Sequence, residues 1–133
     1  MAVLQTHRAG DGVHPVDYHM HTEFSDGNSP MSACVETARE MGLSEIAITD
    51  HCWRSSEWIP DYVETVRSLD SKYDDISVLA GLEAKVIDRD GTVDVAQEDA
   101  ERVDFVMGVV HRYQPEASEP YDDICNFDPE KAA

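Results

Sequence analysis

The sequence predicts an α/β fold with a parallel β-sheet, in a single domain that spans residues 1–133. Short apolar runs at residues 46–48 and 105–110 are typical of strands that are buried on both faces, as parallel strands are. Between the predicted strands, apolar residues recur at helical spacing. A histidine or a glutamate stands at the end of each of four predicted strands. Because the carboxyl ends of parallel strands face one edge of the sheet, we expect a functional site there.

The first predicted strand covers residues 16–19 and follows a loose lead over residues 1–14. In an extended chain alternate side chains share a face, so His19 and His21 would lie on the same side. Neutral imidazole is the commonest protein ligand for zinc and similar ions. A tight turn follows these histidines, and it would return the carboxylate of Asp26 to the same place.

The first predicted helix begins at Pro30, with Ser29 as its N-cap, and ends near Gly42. Cys34 lies beside the apolar face of this helix, so we expect a core residue there and not a catalytic one. The second predicted strand, at residues 46–48, leads into His51.

A second helix is predicted to begin near Pro60, and a third strand follows at residues 76–84, with Glu83 near its end. Residues 88–91 have the composition of a β-hairpin turn. A short helix is predicted at residues 96–102.

The fourth predicted strand, at residues 105–110, runs directly into His111. Beyond it, residues 112–133 form an acidic segment with three prolines, for which we predict a loop or a frayed tail. The four strand ends therefore supply four histidines and one glutamate to one expected site. A mixed set of imidazoles and carboxylates suits zinc, manganese or iron, and does not suit calcium, which prefers oxygen ligands throughout.

Clusters of this kind hold two or three ions close together, and the ions activate a water molecule and neutralise a phosphate ester. No protein nucleophile is then needed, which agrees with the absence of a G-x-S-x-G segment from the sequence. Cys52 is adjacent to His51, but a reactive cysteine needs its own base and electropositive surroundings, so we interpret Cys52 as a bystander.

The composition is strongly acidic, with 28 Asp and Glu residues against 10 Lys and Arg residues and a net charge of −18. Such a charge repels phosphate backbones and disfavours unaided binding to nucleic acid. The alternative interpretation is that the charge reflects a high-salt habitat, where repulsion is screened. The sequence has three cysteines without a C-x-x-C pair and no apolar run of membrane length, and we expect no secretory leader. A reduced, cytoplasmic setting is therefore expected.

Several segments of the chain resemble the successive motifs of the PHP (polymerase and histidinol phosphatase) superfamily, in the same order. These segments are DYHMHT at 17–22, SDG at 25–27, ITDH at 48–51, AGLE at 80–83 and GVVH at 108–111. The resemblance implies a distorted (β/α)7 barrel with a centre of two or three metal ions that hydrolyses phosphoester bonds. It also implies metal-binding roles, with His19 and His21 on the first ion and Glu83 bridging the first and second. His111 would bind the second ion, and Asp26 and His51 would bind the third.

The resemblance also shows what the sequence lacks. Members of the superfamily carry three further ligands in their second half, including a closing Asp-x-His, but no histidine follows His111 here. The sequence therefore accounts for about four of the seven strands of a parallel (β/α) barrel, which would be incomplete. Three alternatives stay open: a piece of a longer enzyme, one half of a split barrel, or a degenerate member. The open sheet edge at the fourth strand, or a missing second half, would favour association.

The resulting hypothesis is a metal-dependent phosphoesterase that hydrolyses a phosphate mono- or diester, with its metal ligands His19, His21, Glu83 and His111 at the centre of catalysis. The expected substrate is a phosphorylated small molecule or a nucleotide. The first alternative is a non-catalytic metal-binding or interaction module that retains the metal site as a remnant. A second alternative, a metallohydrolase of amidohydrolase type, also begins with His-x-His, but the histidine after the second strand and the short length of the chain argue against it.

Overall fold

The computed structural model describes residues 14–110 and, beyond them, the backbone of residues 112–113 and 122–123. Its main sheet is entirely parallel, with helices between the strands, which confirms the predicted α/β class. The strands of this sheet are β1 (Val16–Asp17), β2 (Glu45–Ile48), β3 (His51–Cys52), β4 (Ser77–Lys85) and β5 (Phe105–Val109). The helices are α1 (Met31–Glu40), α2 (Ile59–Lys72) and α3 (Gln97–Ala100).

The central strand is β4, which pairs with β5 on one side and with both β2 and β3 on the other. Ile48 of β2 is in register with Ala80, and His51 of β3 is in register with Glu83. Both pairs keep the same offset along the chain, so β2 and β3 are two halves of one strand. The sequence predicts only the first half, because its apolar run ends at residue 48.

The core lies between the sheet and the two longer helices. The apolar faces of α1 and α2 pack there against the alternating side chains of β2 and β4, as the apolar spacing predicts. Fully buried members include Val35, Ile46, Ile48, Ile59, Tyr62, Val66 and Leu82. Cys34 is half-buried and packs against this core, as predicted. Among the described residues, no helix combines the length and the apolar character needed to cross a bilayer.

Helix α1 begins one residue later than predicted. Pro30, and not Ser29, occupies the N-cap position, because its backbone is extended, and no side chain caps the helix. At the other end Gly42 has a φ of 78°, the left-handed conformation that favours glycine after a helix, as predicted.

Strand β1 ends at Asp17, two residues earlier than predicted. The Asp17 carboxylate accepts a hydrogen bond from the N–H of His19 at 3.0 Å, a local turn that takes the place of strand pairing. The backbone N–H of Met20 then bonds to the hydroxyl of Thr49 at 3.1 Å, and not to a strand neighbour. The prediction that His19 and His21 lie on one strand was therefore wrong, although both reach the same place.

After β4 the chain makes the predicted hairpin, in which Val86 and Val93 form an antiparallel bridge and Gly91 has a φ of 83°. Helix α3 is shorter than the predicted 96–102. The predicted loop at 112–133 is wrong for two short segments, since β6 (Arg112–Tyr113) and β7 (Asp122–Asp123) pair in an antiparallel manner. Aspartate has a low strand propensity, so the sequence gives no signal for β7.

Candidate metal centre

Five of the six residues predicted to bind metal come together at the carboxyl edge of the sheet: His19, His21, Asp26, His51 and Glu83. Two of them, His51 and Glu83, are register partners on β3 and β4. The other three lie in the segment after β1. The sixth, His111, lies outside the described residues.

One carboxylate oxygen forms the floor of the cluster. Oε2 of Glu83 lies 2.9 Å from Nε2 of His19, 3.0 Å from Nε2 of His21 and 3.6 Å from Nδ1 of His51. The Glu83 side chain is only 3% exposed. Three imidazoles therefore converge on a single buried anionic atom.

The first group of possible metal ligands consists of His19, His21 and Glu83. The two Nε2 atoms of the histidines lie 3.1 Å apart. Ligand atoms that bind zinc tetrahedrally at about 2.0–2.1 Å are separated by about 3.3 Å from each other. The three ligand atoms are thus spaced as the donors of one ion would be, and the residues fit a divalent cation.

The second group consists of His21, Asp26 and His51. Nε2 of His51 lies 3.3 Å from Oδ2 of Asp26, and Nδ1 of His21 lies 3.6 Å from Oδ1 of the same carboxylate. That Nδ1 atom is buried and has no hydrogen-bond partner. A buried nitrogen without a partner is costly, and a bound cation at this position would satisfy it. This group also fits a divalent cation, and it shares His21 with the first.

The cluster opens toward solvent on one side. Its rim is formed by His19, whose side chain is 52% exposed, and by Asp26, at 67%. His21 and His51 are intermediate, at 23% each. With neutral imidazoles the five side chains carry two negative charges, so the site attracts cations and repels a free phosphate group.

The segment that carries the ligands is held by residues for which the sequence predicts no role. Thr49 and Asp50, in the break between β2 and β3, are fully buried and bond to the chain at Met20, Thr22 and Ser25. The feature of the sequence that could have indicated this role is the polar Thr-Asp pair directly after an apolar strand.

The turn that follows His21 is tight, because a Cβ atom on Gly27 would lie 2.4 Å from the carbonyl oxygen of His21.

Cys52 follows His51 but is buried in β3. Burial, together with the nearby charges of Asp94, Asp99 and Glu83, raises the pKa of its thiol to about 12. A thiol in this environment is protonated and unreactive, which agrees with the interpretation of Cys52 as a bystander.

Comparison with known proteins gives a consistent result. The chain is 35% identical over 104 residues to a protein described as a probable phosphatase in Caldicellulosiruptor saccharolyticus, covering 72% of this chain and 41% of that one. It is 27% identical over 102 residues to the DNA polymerase/3'-5' exonuclease PolX of Bacillus subtilis, covering 71% of this chain and 18% of that one. The chain spans about two fifths of the length of the phosphatases that it matches.

Among solved structures, the chain resembles the histidinol phosphate phosphatase of Lactococcus lactis, whose crystals contain zinc, L-histidinol and phosphate. The TM-score is 0.58 at 27% identity, over 75% of this chain and 41% of the other. The family model described as the PHP domain matches residues 17–131, which is most of the sequence. These residues include the five clustered side chains, and the resemblance seen in the sequence is confirmed: the chain belongs to the PHP family.

Proposed function

We propose that this chain provides part of the active site of a metal-dependent phosphoesterase, which hydrolyses a phosphate mono- or diester with metal-activated water. The observation that carries the proposal is the convergence of three imidazoles on Oε2 of Glu83, with Asp26 beside them. The solved relative with zinc and phosphate supports the same chemistry. Because the chain covers two fifths of the related phosphatases, the activity of the whole protein belongs to this proposal.

In this proposal one ion, called the first, is held by His19, His21 and Glu83, and another, called the second from here on, by His21, Asp26 and His51. The second ion is the one that the resemblance to the family numbers as the third. His111 is an additional ligand, proposed from the resemblance to the family. Mixed imidazole and carboxylate ligands suit zinc, manganese or iron. Zinc is the first candidate because the solved relative contains it.

Bound divalent cations lower the pKa of water and neutralise the charge of phosphoryl oxygens. The residues of the chain supply the geometry. Glu83 is anchored in β4 and so fixes the floor of the site, while the exposed His19 and Asp26 leave the rim open to a substrate. Since Glu83 and Asp26 would repel a phosphate ester in the absence of cations, substrate binding depends on the ions being bound first.

The proposed substrate is a phosphorylated small molecule or a nucleotide. The solved relative binds L-histidinol and phosphate, which supports a compact substrate. A long nucleic acid is disfavoured by the net charge of −18. We also propose a reducing, cytoplasmic setting, which the free thiols of Cys34 and Cys52 support.

The test is to strip the full chain of metal, reload it with zinc or manganese, count the bound ions, and assay p-nitrophenyl phosphate and bis(p-nitrophenyl) phosphate. We expect turnover that depends on metal and that Glu83→Gln reduces by more than about a hundredfold. The matched control is Glu64→Gln, which alters an exposed carboxylate of α2 and should leave turnover unchanged. Bound metal without turnover of either ester would favour the non-catalytic module, and a chain that binds no metal would refute both functions.

A further inference from the structure

The break between β2 and β3 contains a fully buried carboxylate, that of Asp50, whose hydrogen bonds go to Thr22 and Ser25. Burying a charge is costly unless hydrogen bonds compensate for it. Here three donors do so. The N–H and the hydroxyl of Thr22 each donate at 2.7 Å, and the hydroxyl of Ser25 donates at 2.6 Å. Short bonds to an ionised acceptor are about twice as strong as neutral ones.

These donors belong to the segment that carries the ligands. Thr22 directly follows His21, and Ser25 directly precedes Asp26. Asp50 itself directly precedes His51. Each member of the second group is therefore adjacent in the chain either to Asp50 itself or to one of the two residues that its carboxylate bonds.

The turn between the two anchor points is closed by its own backbone. The carbonyl oxygen of Thr22 accepts hydrogen bonds from Ser25 N–H at 3.1 Å and from Gly27 N–H at 2.9 Å. On the strand side, the carbonyl oxygen of Asp50 accepts a bond from the N–H of Glu83 at 3.0 Å. Asp50 thus joins the turn to the central strand of the sheet.

We propose that Asp50 is a positioning residue that sets the geometry of the second ion site, formed by His21, Asp26 and His51. It does not bind the ion. The inference rests on the metal centre proposed above and adds to it a residue that acts through the ligand segment. The first site depends on it less, because only the shared ligand His21 lies next to a residue that Asp50 holds, whereas Glu83 is fixed by β4 and His19 by the local turn at Asp17.

The test is isothermal titration of the metal-free full chain with cobalt(II), with the visible absorption of the bound ion as a second readout. We expect Asp50→Asn to weaken the second ion by about tenfold or more, as residues that orient metal ligands do, and the first ion by less than about threefold. The matched control is Asp70→Asn. Asp70 accepts a bond from the N–H of Val78 at 2.8 Å, at the opposite end of β4. This variant should lose stability without a selective effect on either ion.

If Asp50→Asn does not fold, as judged by circular dichroism, Ser25→Ala and Thr22→Val decide the question together, because each removes one of the three bonds to Asp50. The Ser25 hydroxyl also lies 3.4 Å from Oδ1 of Asp26, so an effect seen in Ser25→Ala alone would be assigned to that contact. Both variants should weaken the second ion selectively, and Ser25→Thr, which retains a hydroxyl, should restore most of the affinity lost in Ser25→Ala. Equal weakening of both ions, or no change in the second, would overturn the role of Asp50. An unaltered chain that binds no cobalt at all would refute the metal centre itself, and the role of Asp50 with it.

Discussion

His21 and Asp26 face each other in the cluster, with Nδ1 of the imidazole 3.6 Å from Oδ1 of the carboxylate. The other nitrogen of the same ring, Nε2, lies 3.0 Å from Oε2 of Glu83. The ring of His21 therefore stands between the two groups of possible ligands, with one nitrogen turned toward each. The two proposed ions would share this side chain.

This arrangement predicts that the ligands separate into two classes. We expect His19→Ala to weaken mainly the first ion and Asp26→Ala mainly the second, whereas His21→Ala should weaken both, each by more than about tenfold. Zinc titration of the metal-free chain measures the two affinities. His14→Ala, which alters an exposed histidine before β1, serves as the control. Loss of one ion only in His21→Ala would contradict the shared ring.

Tyr62 of α2 supports the sheet beside the interrupted strand. Its hydroxyl group is fully buried. It donates a hydrogen bond shared between the carbonyl oxygens of Ile48 and Gly81, each at 2.7 Å. We expect Tyr62→Phe to lower the free energy of unfolding by about 1–3 kcal/mol, because buried acceptors lose their donor. Urea unfolding measures the change. Tyr73→Phe, whose hydroxyl bonds to Glu36 at the exposed surface, should change stability by less than about 0.5 kcal/mol.

The carboxyl group of Asp104, which directly precedes β5, makes the stability of the fold depend on pH. Burial alone would raise its pKa, but the guanidinium of Arg67, at 2.7 and 3.0 Å, and the N–H of Ala80 outweigh burial and lower it. A lowered pKa in the folded state means that the stabilisation is complete above about pH 4, the ordinary value for aspartate, and is lost as the pH falls through the folded value.

We therefore expect Asp104→Asn to cost about 1–2 kcal/mol at neutral pH, since a charged acceptor is replaced by a neutral one. The difference from the unaltered chain should shrink in acid. Urea unfolding at several pH values measures it, and a difference that stays constant with pH would contradict the assignment to Asp104.

The burial of Cys52 predicts that its thiol resists alkylation in the native chain. With a pKa raised to about 12, only about one thiol in ten thousand is ionised near pH 8, so alkylation should be very slow. Treatment with iodoacetamide followed by peptide mass mapping should find Cys52 unmodified in the native chain and modified in urea. Fast labelling of the native chain would show an accessible thiolate and reopen a role for this residue.

The sequence predicts where the candidate ligands lie, because the rule that brings them together is topological. In a parallel sheet the strand ends meet at one edge, and His51 and Glu83 are found there in register. The sequence predicts the path of the segment after β1, which carries His19 and His21, less well. Strand β1 is shortened by the local turn at Asp17 and by the hydrogen bond from the N–H of Met20 to the hydroxyl of Thr49. The second of these depends on two residues that come together only after folding.

Asp50 shows the same limit. The Thr-Asp pair after an apolar strand marks the position, but a polar residue there is ordinarily a solvated loop residue, and the pair does not indicate that three hydrogen bonds will bury Asp50. Its partners are more than twenty residues away. Contacts at this separation follow from the assembled sheet, and hydrophobic periodicity does not encode them.

The shared register of β2 and β3 against β4 also limits how this chain can vary in length. A single-residue deletion or insertion at positions 49–50 would turn His51 to the opposite face of the sheet, because side chains alternate along a strand. Homologous chains should therefore tolerate length changes in the hairpin at 88–91 far more readily than in this two-residue interval.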